Sequence, residues 1–269
     1  METAASLMRD PITVPRDAAV EMLARRLQTH TVRHLPVVDG GGRLIGMVTD
    51  QDVFALGGFL LDDWVPFDEA TSRLTAETIS SSDALEVHLD APLSNVLRLL
   101  AGPGDCAVVI DEARQVRGIL TEHDGVRFGA AIIPAEHPID LDAARPVASV
   151  RRDTPARVAL DRMLAERVRH IVIEDGGRPV GVLSFRDLII EGIPGGRQLT
   201  SWEVVRSTTV HTVDEGTPLR AAAERLAALA IGCLPVTDAN GMLTAILTRT
   251  DIIHAAATAL EEEALFGEG

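Results

Sequence analysis

Apolar and polar positions alternate along this chain in a pattern that repeats four times. In the first copy, Ile12-Thr13-Val14 reads as a short strand, and from Asp17 the apolar positions Val20, Leu23 and Leu27 recur at helical spacing. Next come Leu35-Pro36-Val37-Val38-Asp39, the turn Gly40-Gly41-Gly42 and a second apolar run, Leu44-Ile45-Gly46-Met47-Val48. A helix is expected from Thr49. The predicted order is β-α-β-turn-β-α, with a hairpin at the glycines. No lysine or helix start follows those glycines as a phosphate loop requires, so they are read as a turn.

The other copies follow the same order. Glu86-Val87, Ser149-Val150 and Thr212-Val213 take the place of Thr13-Val14. Asp90-Ala91-Pro92, Asp153-Thr154-Pro155 and Gly216-Thr217-Pro218 open the later helices, since proline near a helix start is pre-organised and loses no hydrogen bond there. The turns fall at Asp111-Glu112-Ala113, Asp175-Gly176-Gly177 and Asp238-Ala239-Asn240-Gly241.

Each copy ends in a motif: an apolar run with a glycine or small residue, then a hydroxyl three positions before an aspartate. The four are Gly46–Asp52, Gly118–Asp124, Gly181–Asp187 and Ala245–Asp251, and their hydroxyls Thr49, Thr121, Ser184 and Thr248 stand 72, 63 and 64 residues apart. A repeat of that length sets the architecture. One unit of about 60 residues buries too little surface to be comfortable alone, so pairing of units is expected.

The pairing is visible in the residues five positions before each turn aspartate. These are His34, Cys106, His170 and Cys233, preceded by Arg33, Asp105, Arg169 and Gly232. Odd units carry Arg-His and even units carry Cys. Trp64 and Trp202 both fall in connections from an odd to an even unit. A two-unit module present twice is expected, with modules over 1–131 and 143–260, a boundary near Ile132–Arg145 and an acidic tail over 261–269. The stretch Phe59–Phe67 is more apolar than a linker should be and is expected to pack on its own module.

Composition narrows the function. Of 269 residues, 46% are apolar and 3% aromatic, so the core is built mainly from Ala, Val, Leu and Ile. The net charge of −15 repels nucleic acid and anionic membranes, and no basic stripe offsets it. A single phosphate-bearing metabolite is compatible with that field, because local arginines and amides outweigh distant charge. No apolar run reaches bilayer length and Met1–Ala5 carries no signal-peptide pattern, so a cytoplasmic protein without membrane association is expected. Two cysteines make no disulfide framework and are expected as free thiols. His34, His170, Cys106 and Cys233 lack zinc-site spacing.

Together these features resemble the CBS domain, named for cystathionine beta-synthase. Arg33-His34-Leu35-Pro36-Val37-Val38-Asp39 and Gly181–Leu188 carry the resemblance most clearly, and it spans about residues 7–58, 75–128, 145–192 and 203–258. It implies an α+β fold of four β-α-β-β-α repeats packed in pairs through their sheets. It also implies clefts that bind adenosyl ligands: AMP, ADP, ATP or S-adenosylmethionine. In such clefts the motif aspartate bonds ribose hydroxyls, while the motif hydroxyl and nearby basic groups hold phosphate. On this chain ribose falls to Asp52, Asp124, Asp187 and Asp251, and the hydroxyls are Thr49, Thr121, Ser184 and Thr248. Arg186, Arg249, His34, Arg169 and His170 are the candidate basic groups. The chemistry fits independently: a carboxylate accepts two hydrogen bonds from a vicinal diol, and a hydroxyl beside free helix-start amides suits an anion.

The same Thr/Ser-x-x-Asp spacing is that of a capping box, worth about 1 kcal/mol without any ligand. The two roles are compatible. Charge ranks the sites three, four, one, two: repeat three has Arg186 with Arg169-His170, repeat four has Arg249 but Ala245 in place of glycine, repeat one adds Asp50, and repeat two adds Glu122 and Asp105. Thr121 and Asp124 are expected to serve only as a cap. No nucleophile–base pair or cofactor fingerprint is found, and a non-catalytic sensor that signals to a protein partner is expected. The alternative is an interaction scaffold with vestigial clefts. A homodimer and a disc closed within one chain both fit four repeats.

Overall fold

The computed structural model describes residues 2–56, 67–102, 104–140, 147–190, 198–205 and 209–266. The first repeat runs α1 (Ala4–Leu7), β1 (Val14–Pro15), α2 (Val20–Thr29), β2 (His34–Val38), β3 (Leu44–Thr49) and α3 (Asp50–Ala55). The second runs α4 (Ala76–Ile79), β4 (Leu85–His88), α5 (Leu93–Leu100), β5 (Cys106–Ile110), β6 (Val116–Thr121) and α6 (Glu122–Ile132). The third comprises β7 (Ser149–Arg151), α7 (Ala156–Glu166), β8 (His170–Asp175), β9 (Arg178–Ser184) and α8 (Phe185–Ile190). The fourth comprises α9 (Ser201–Val205), β10 (Val213–Asp214), α10 (Leu219–Leu229), β11 (Cys233–Thr237), β12 (Leu243–Thr248) and α11 (Arg249–Phe266).

Each repeat forms one three-stranded sheet in which the first strand pairs parallel with the second and the second antiparallel with the third. The expected β-α-β-β-α order therefore holds in all four. Each hairpin carries a register shift just before its turn, between Val37/Val38, Val109/Ile110, Ile173/Glu174 and Val236/Thr237. In three hairpins an aspartate organises the turn. Asp39, Asp111 and Asp238 each accept through Oδ1 from the backbone N–H two and four residues ahead, at 2.8–2.9 Å. The third hairpin is tighter. There Gly176 and Gly177 take positive φ, and Glu174 accepts from the Gly177 N–H.

The chain divides into two compact units, Met1–Phe128 with Ile253–Gly269, and Gly129–Ile252. In the first, Leu35, Val37 and Val48 face α2 in one apolar cluster. Met47 of repeat one points the other way, as does Leu44 beyond the register shift, and they meet Cys106 and Val108 of repeat two. This period-2 division gives each sheet a helix face and a partner-sheet face. The hairpins also join by backbone: Leu44 N–H donates to Arg114 C=O and Val116 N–H to Gly42 C=O. In the second unit Leu243 N–H likewise donates to Gly177 C=O.

The segment leading into each repeat belongs spatially to its neighbour within the same unit. Ala4 and Ala5 N–H donate to Ala91 and Leu89 C=O, so α1 lies on repeat two. Ala76 and Glu77 N–H donate to Ala18 and Arg16 C=O, so α4 lies on repeat one. In the second unit α9 lies on repeat three, with Val204 in its core and Trp202 at 4.8 Å under the Arg152 guanidinium. Phe67 is buried in the core of repeat one, while Trp64, 59–66 and 141–146 lie outside the described residues. The acidic run Glu261–Glu263 lies on α11, where Glu261 pairs with Arg98 at 2.7 Å.

Candidate functional site

The third strand of every repeat ends on the motif hydroxyl, and the register brings it opposite one particular residue. His34 pairs with Thr49, Cys106 with Thr121, His170 with Ser184 and Cys233 with Thr248. One residue further, the N–H groups of Asp50, Glu122, Phe185 and Arg249 donate to the C=O groups of Arg33, Asp105, Arg169 and Gly232, at 2.9–3.2 Å. The odd–even His/Cys alternation and the hydroxyl–aspartate motif are thus two sides of one structural spot, which recurs four times.

At that spot the hydroxyl and aspartate bond to each other. Both the N–H and the hydroxyl of Thr49 donate to Asp52 Oδ2 at 2.7 Å. The same pair of bonds joins Thr121 to Asp124 (3.1 and 2.7 Å), Ser184 to Asp187 (2.8 and 2.6 Å) and Thr248 to Asp251 (2.7 Å for both). Asp52 and Asp187 N–H donate back to the hydroxyl. This is the capping box, formed in full at Thr49 and Asp52. One carboxylate oxygen is consumed by it. Among the described residues Oδ1 of Asp52, Asp187 and Asp251 has no hydrogen bond or ion pair, so an acceptor remains at the head of each helix.

Repeat two differs. Asp124 Oδ1 pairs with Arg9 Nε, and Asp124 is buried. Arg9 comes from the segment that crosses from repeat one, where its backbone bridges Ile119. Both oxygens of Asp124 are therefore used inside the protein. No local pattern marks Arg9, so this contact was not legible in the sequence.

The candidate basic groups also divide. His34 is buried, with Nε2 2.9 Å from Asp105 Oδ1. Arg33 reaches Asp50 at 3.4 Å and Asp105 at 3.7 Å. The Arg33–His34 pair is thus engaged by carboxylates of its own unit. Arg249 turns its guanidinium onto Ile231 and Ala230 C=O at 3.0 and 2.9 Å, capping the end of α10. Arg169 is exposed beside the partly buried His170, whose ring packs against Gly232. Arg186 is partly buried two positions after Ser184.

The motif glycine has a different purpose from close approach to a ligand. A Cβ at Gly46 would meet Ser80 Cβ at 2.9 Å and Ser81 O at 3.0 Å, and one at Gly118 would meet Met8 Cβ at 2.8 Å. These are the crossing segments, so the glycines admit the neighbour repeat. At Gly181 the nearest atoms are 3.5 Å away, which leaves room for a methyl group, and repeat four has Ala245. The alanine there says nothing about ligand approach.

Cys106 and Cys233 are buried free thiols. Burial pushes the Cys106 thiol up, with Asp105 and Asp124 adding to the effect. Burial pushes Cys233 up to about 12 against a smaller opposing effect of Arg249. Neither is primed as a thiolate.

The CBS domain family matches residues 4–57, 76–130, 140–192 and 203–258. The chain belongs to that family, with four copies. Over 263 residues it is 23% identical to the uncharacterized protein MJ1225 of Methanocaldococcus jannaschii, covering 90% of this chain and 94% of that protein. The crystal structure of MJ1225 superposes with a TM-score of 0.75 over 94% of this chain and 99% of that one, at 20% identity. An uncharacterized conserved protein of Pyrococcus horikoshii gives a TM-score of 0.68 over 95% and 100%, also at 20% identity. These likenesses are of fold. The L-aspartate semialdehyde sulfurtransferase of M. jannaschii is 30% identical over 120 residues, 44% of this chain, and the match spans only 21% of that relative. Among the described residues no helix is long and apolar enough to cross a membrane.

Proposed function

We propose that this protein is a regulatory sensor that binds adenosyl ligands such as AMP, ADP, ATP or S-adenosylmethionine at the helix heads of its CBS repeats and relays occupancy to a protein partner. The observation that carries this reading is the half-used carboxylate. In repeats one, three and four the cap occupies one oxygen of the aspartate and leaves the other as an acceptor beside a hydroxyl and helix-start amides. Such a group suits a ribose diol, and the amides suit a phosphate. Membership in the CBS family supports adenosyl ligands as the class. Ser184, Arg186 and Asp187 form the leading site, followed by Thr248 and Asp251, then Thr49 and Asp52. Arg169 and His170 flank the leading site. His34 and Arg249 act through their intramolecular partners, and Thr121 with Asp124 is a structural cap.

The role is regulatory rather than catalytic, and the raised thiols support this by removing the two cysteines as sulfur nucleophiles. A second reading, a scaffold whose clefts are vestigial, is favoured at one place only, where Arg9 fills the acceptor of repeat two. Sedimentation of the chain with and without ligand distinguishes a homodimer from a disc closed within one chain. Thermal-shift series with AMP, ADP, ATP and S-adenosylmethionine test the central claim, because a ligand of the native state raises its apparent stability. Stabilisation by at least one is expected. No shift and no calorimetric heat at millimolar concentration would sink the sensor reading.

A further inference from the structure

The segments that cross between repeats one and two run in the same register on both sides. Met47 and Ile119 each stand directly after a motif glycine and two residues before a motif hydroxyl. Each exchanges a pair of backbone hydrogen bonds with the crossing segment, Met47 with Ser81 and Ile119 with Arg9, all at 2.9 Å. The short helices that precede these bridges are seated alike. Ala76 N–H donates to Ala18 C=O at 2.8 Å, and Ala4 N–H donates to Ala91 C=O at 2.9 Å. Ser81 and Arg9 therefore occupy one structural position beside the motifs of repeats one and two.

Only the side chain differs there. The Ser81 hydroxyl is short and accepts from the Asp83 N–H at 3.1 Å, and Asp52 keeps one oxygen outside its cap. Arg9 instead sends Nε to Asp124 Oδ1, while Thr121 takes Oδ2, so both oxygens of that carboxylate are engaged. The Asp124 side chain is 4% exposed and that of Arg9 53%, so the guanidinium forms the outer half of the pair. A guanidinium N–H and a ribose hydroxyl both donate to a carboxylate, but the charge-assisted bond is the stronger. Arg9 is also tethered by its bridge to Ile119. A free ligand thus competes with a donor present at an effective concentration on the order of millimolar or above. Thr121 and Asp124 themselves keep the hydroxyl and aspartate of the other repeats.

Building on the sensor reading above, we infer that Arg9 is an intramolecular occupant of repeat two. It takes the acceptor that the equivalent Ser81 leaves open in repeat one. Arginine or serine at this position of the crossing segment sets whether the repeat admits an adenosyl ligand. Repeat two is then a closed site with an intact motif, and the segment that carries Arg9 is its autoinhibitory element.

Calorimetric titration of the full chain with adenosine tests this, with thermal melting as the check on folding. Adenosine offers the ribose diol and carries no phosphate for Glu122, within this motif, to repel. In Arg9→Ser the number of adenosine sites is expected to rise by one above that of the unaltered protein. In Ser81→Arg, which places a guanidinium at the corresponding position beside Asp52, it is expected to fall by one. A folded Arg9→Ser with the unaltered number of sites overturns the inference. If Arg9→Ser does not fold, Ser81→Arg decides, and an unchanged number in that variant overturns it. Failure of the sensor reading looks different: the unaltered protein then binds neither adenosine nor AMP.

Discussion

His34 Nε2 lies 2.9 Å from Asp105 Oδ1, joining the second strand of repeat one to the residue that precedes the second strand of repeat two, while its counterpart His170 packs against a glycine at the equivalent place. The same seam is closed by a hydrogen-bonded contact in one module and by a ring filling empty space in the other. Asp105→Ala removes the acceptor from a buried imidazole and is expected to cost about 1–3 kcal/mol in urea unfolding. Asp105→Asn retains a carbonyl acceptor and is expected to cost less. Gly232→Ala is expected to destabilise as well, for the opposite reason, because its Cβ would sit 2.5 Å from His170 Cε1. A folded Gly232→Ala with unchanged stability would show that the ring does not occupy that space.

The motif glycines yield a graded test. Gly46→Ala and Gly118→Ala push a methyl group into Ser80–Ser81 and Met8, and each is expected to cost about 1–3 kcal/mol. Gly181→Ala meets only ordinary contacts and restricts the unfolded chain, so it is expected to be neutral or to stabilise by up to about 1 kcal/mol. Denaturant midpoints of the three variants check the order. Equal losses at all three would remove the crossing-segment explanation.

The β-α-β-β-α order was legible because strand and helix periods are written locally in runs such as Val20–Leu27 and Leu35–Val38. The hydroxyl–aspartate cap was legible for the same reason, as its three-residue spacing is a local bond. The crossing segments were not. α1, α4 and α9 are four or five residues long and owe their stability to tertiary contacts, with Ala4 and Ala76 fully buried. Arg9 reaching Asp124 and Asp105 reaching His34 depend on which repeats pair and which faces meet, and no period encodes either. Charge along the sequence could not say that Arg33 and His34 would both be drawn to Asp105 of the neighbouring repeat.

The turn aspartates make stability depend on acid. Backbone N–H groups hold Asp39, Asp111 and Asp238 below the ordinary value of 3.8, led by Arg43, Gln115 and Met242 respectively. A carboxyl with a depressed folded value contributes stability above its unfolded value and loses it as pH falls through the folded one. Acid destabilisation from these turns is therefore expected to begin near pH 3.8 and continue below it. Replacing all three with asparagine keeps an oxygen to accept the turn bonds but removes the titration. Urea midpoints at pH 6 and pH 3 are expected to differ less in the triple variant than in the unaltered protein.

Two further aspartates separate capping from binding. Asp124 is fully engaged by Thr121 and Arg9, so Asp124→Ala is expected to destabilise by about 1–3 kcal/mol and leave the number of nucleotide sites as it is. Asp187 has one oxygen in the cap and one outside it. Asp187→Ala loses both, and is expected to cost about 1 kcal/mol of stability together with AMP affinity. Asp187→Asn is the sharper variant. Its carbonyl oxygen can serve the cap while its amide nitrogen replaces the outer acceptor, which a ribose diol needs. Near-native stability with AMP affinity reduced about tenfold is therefore expected for Asp187→Asn. If that variant binds AMP as the unaltered protein does, Asp187 is a cap and nothing more, because the acceptor assigned to the ligand has become a donor.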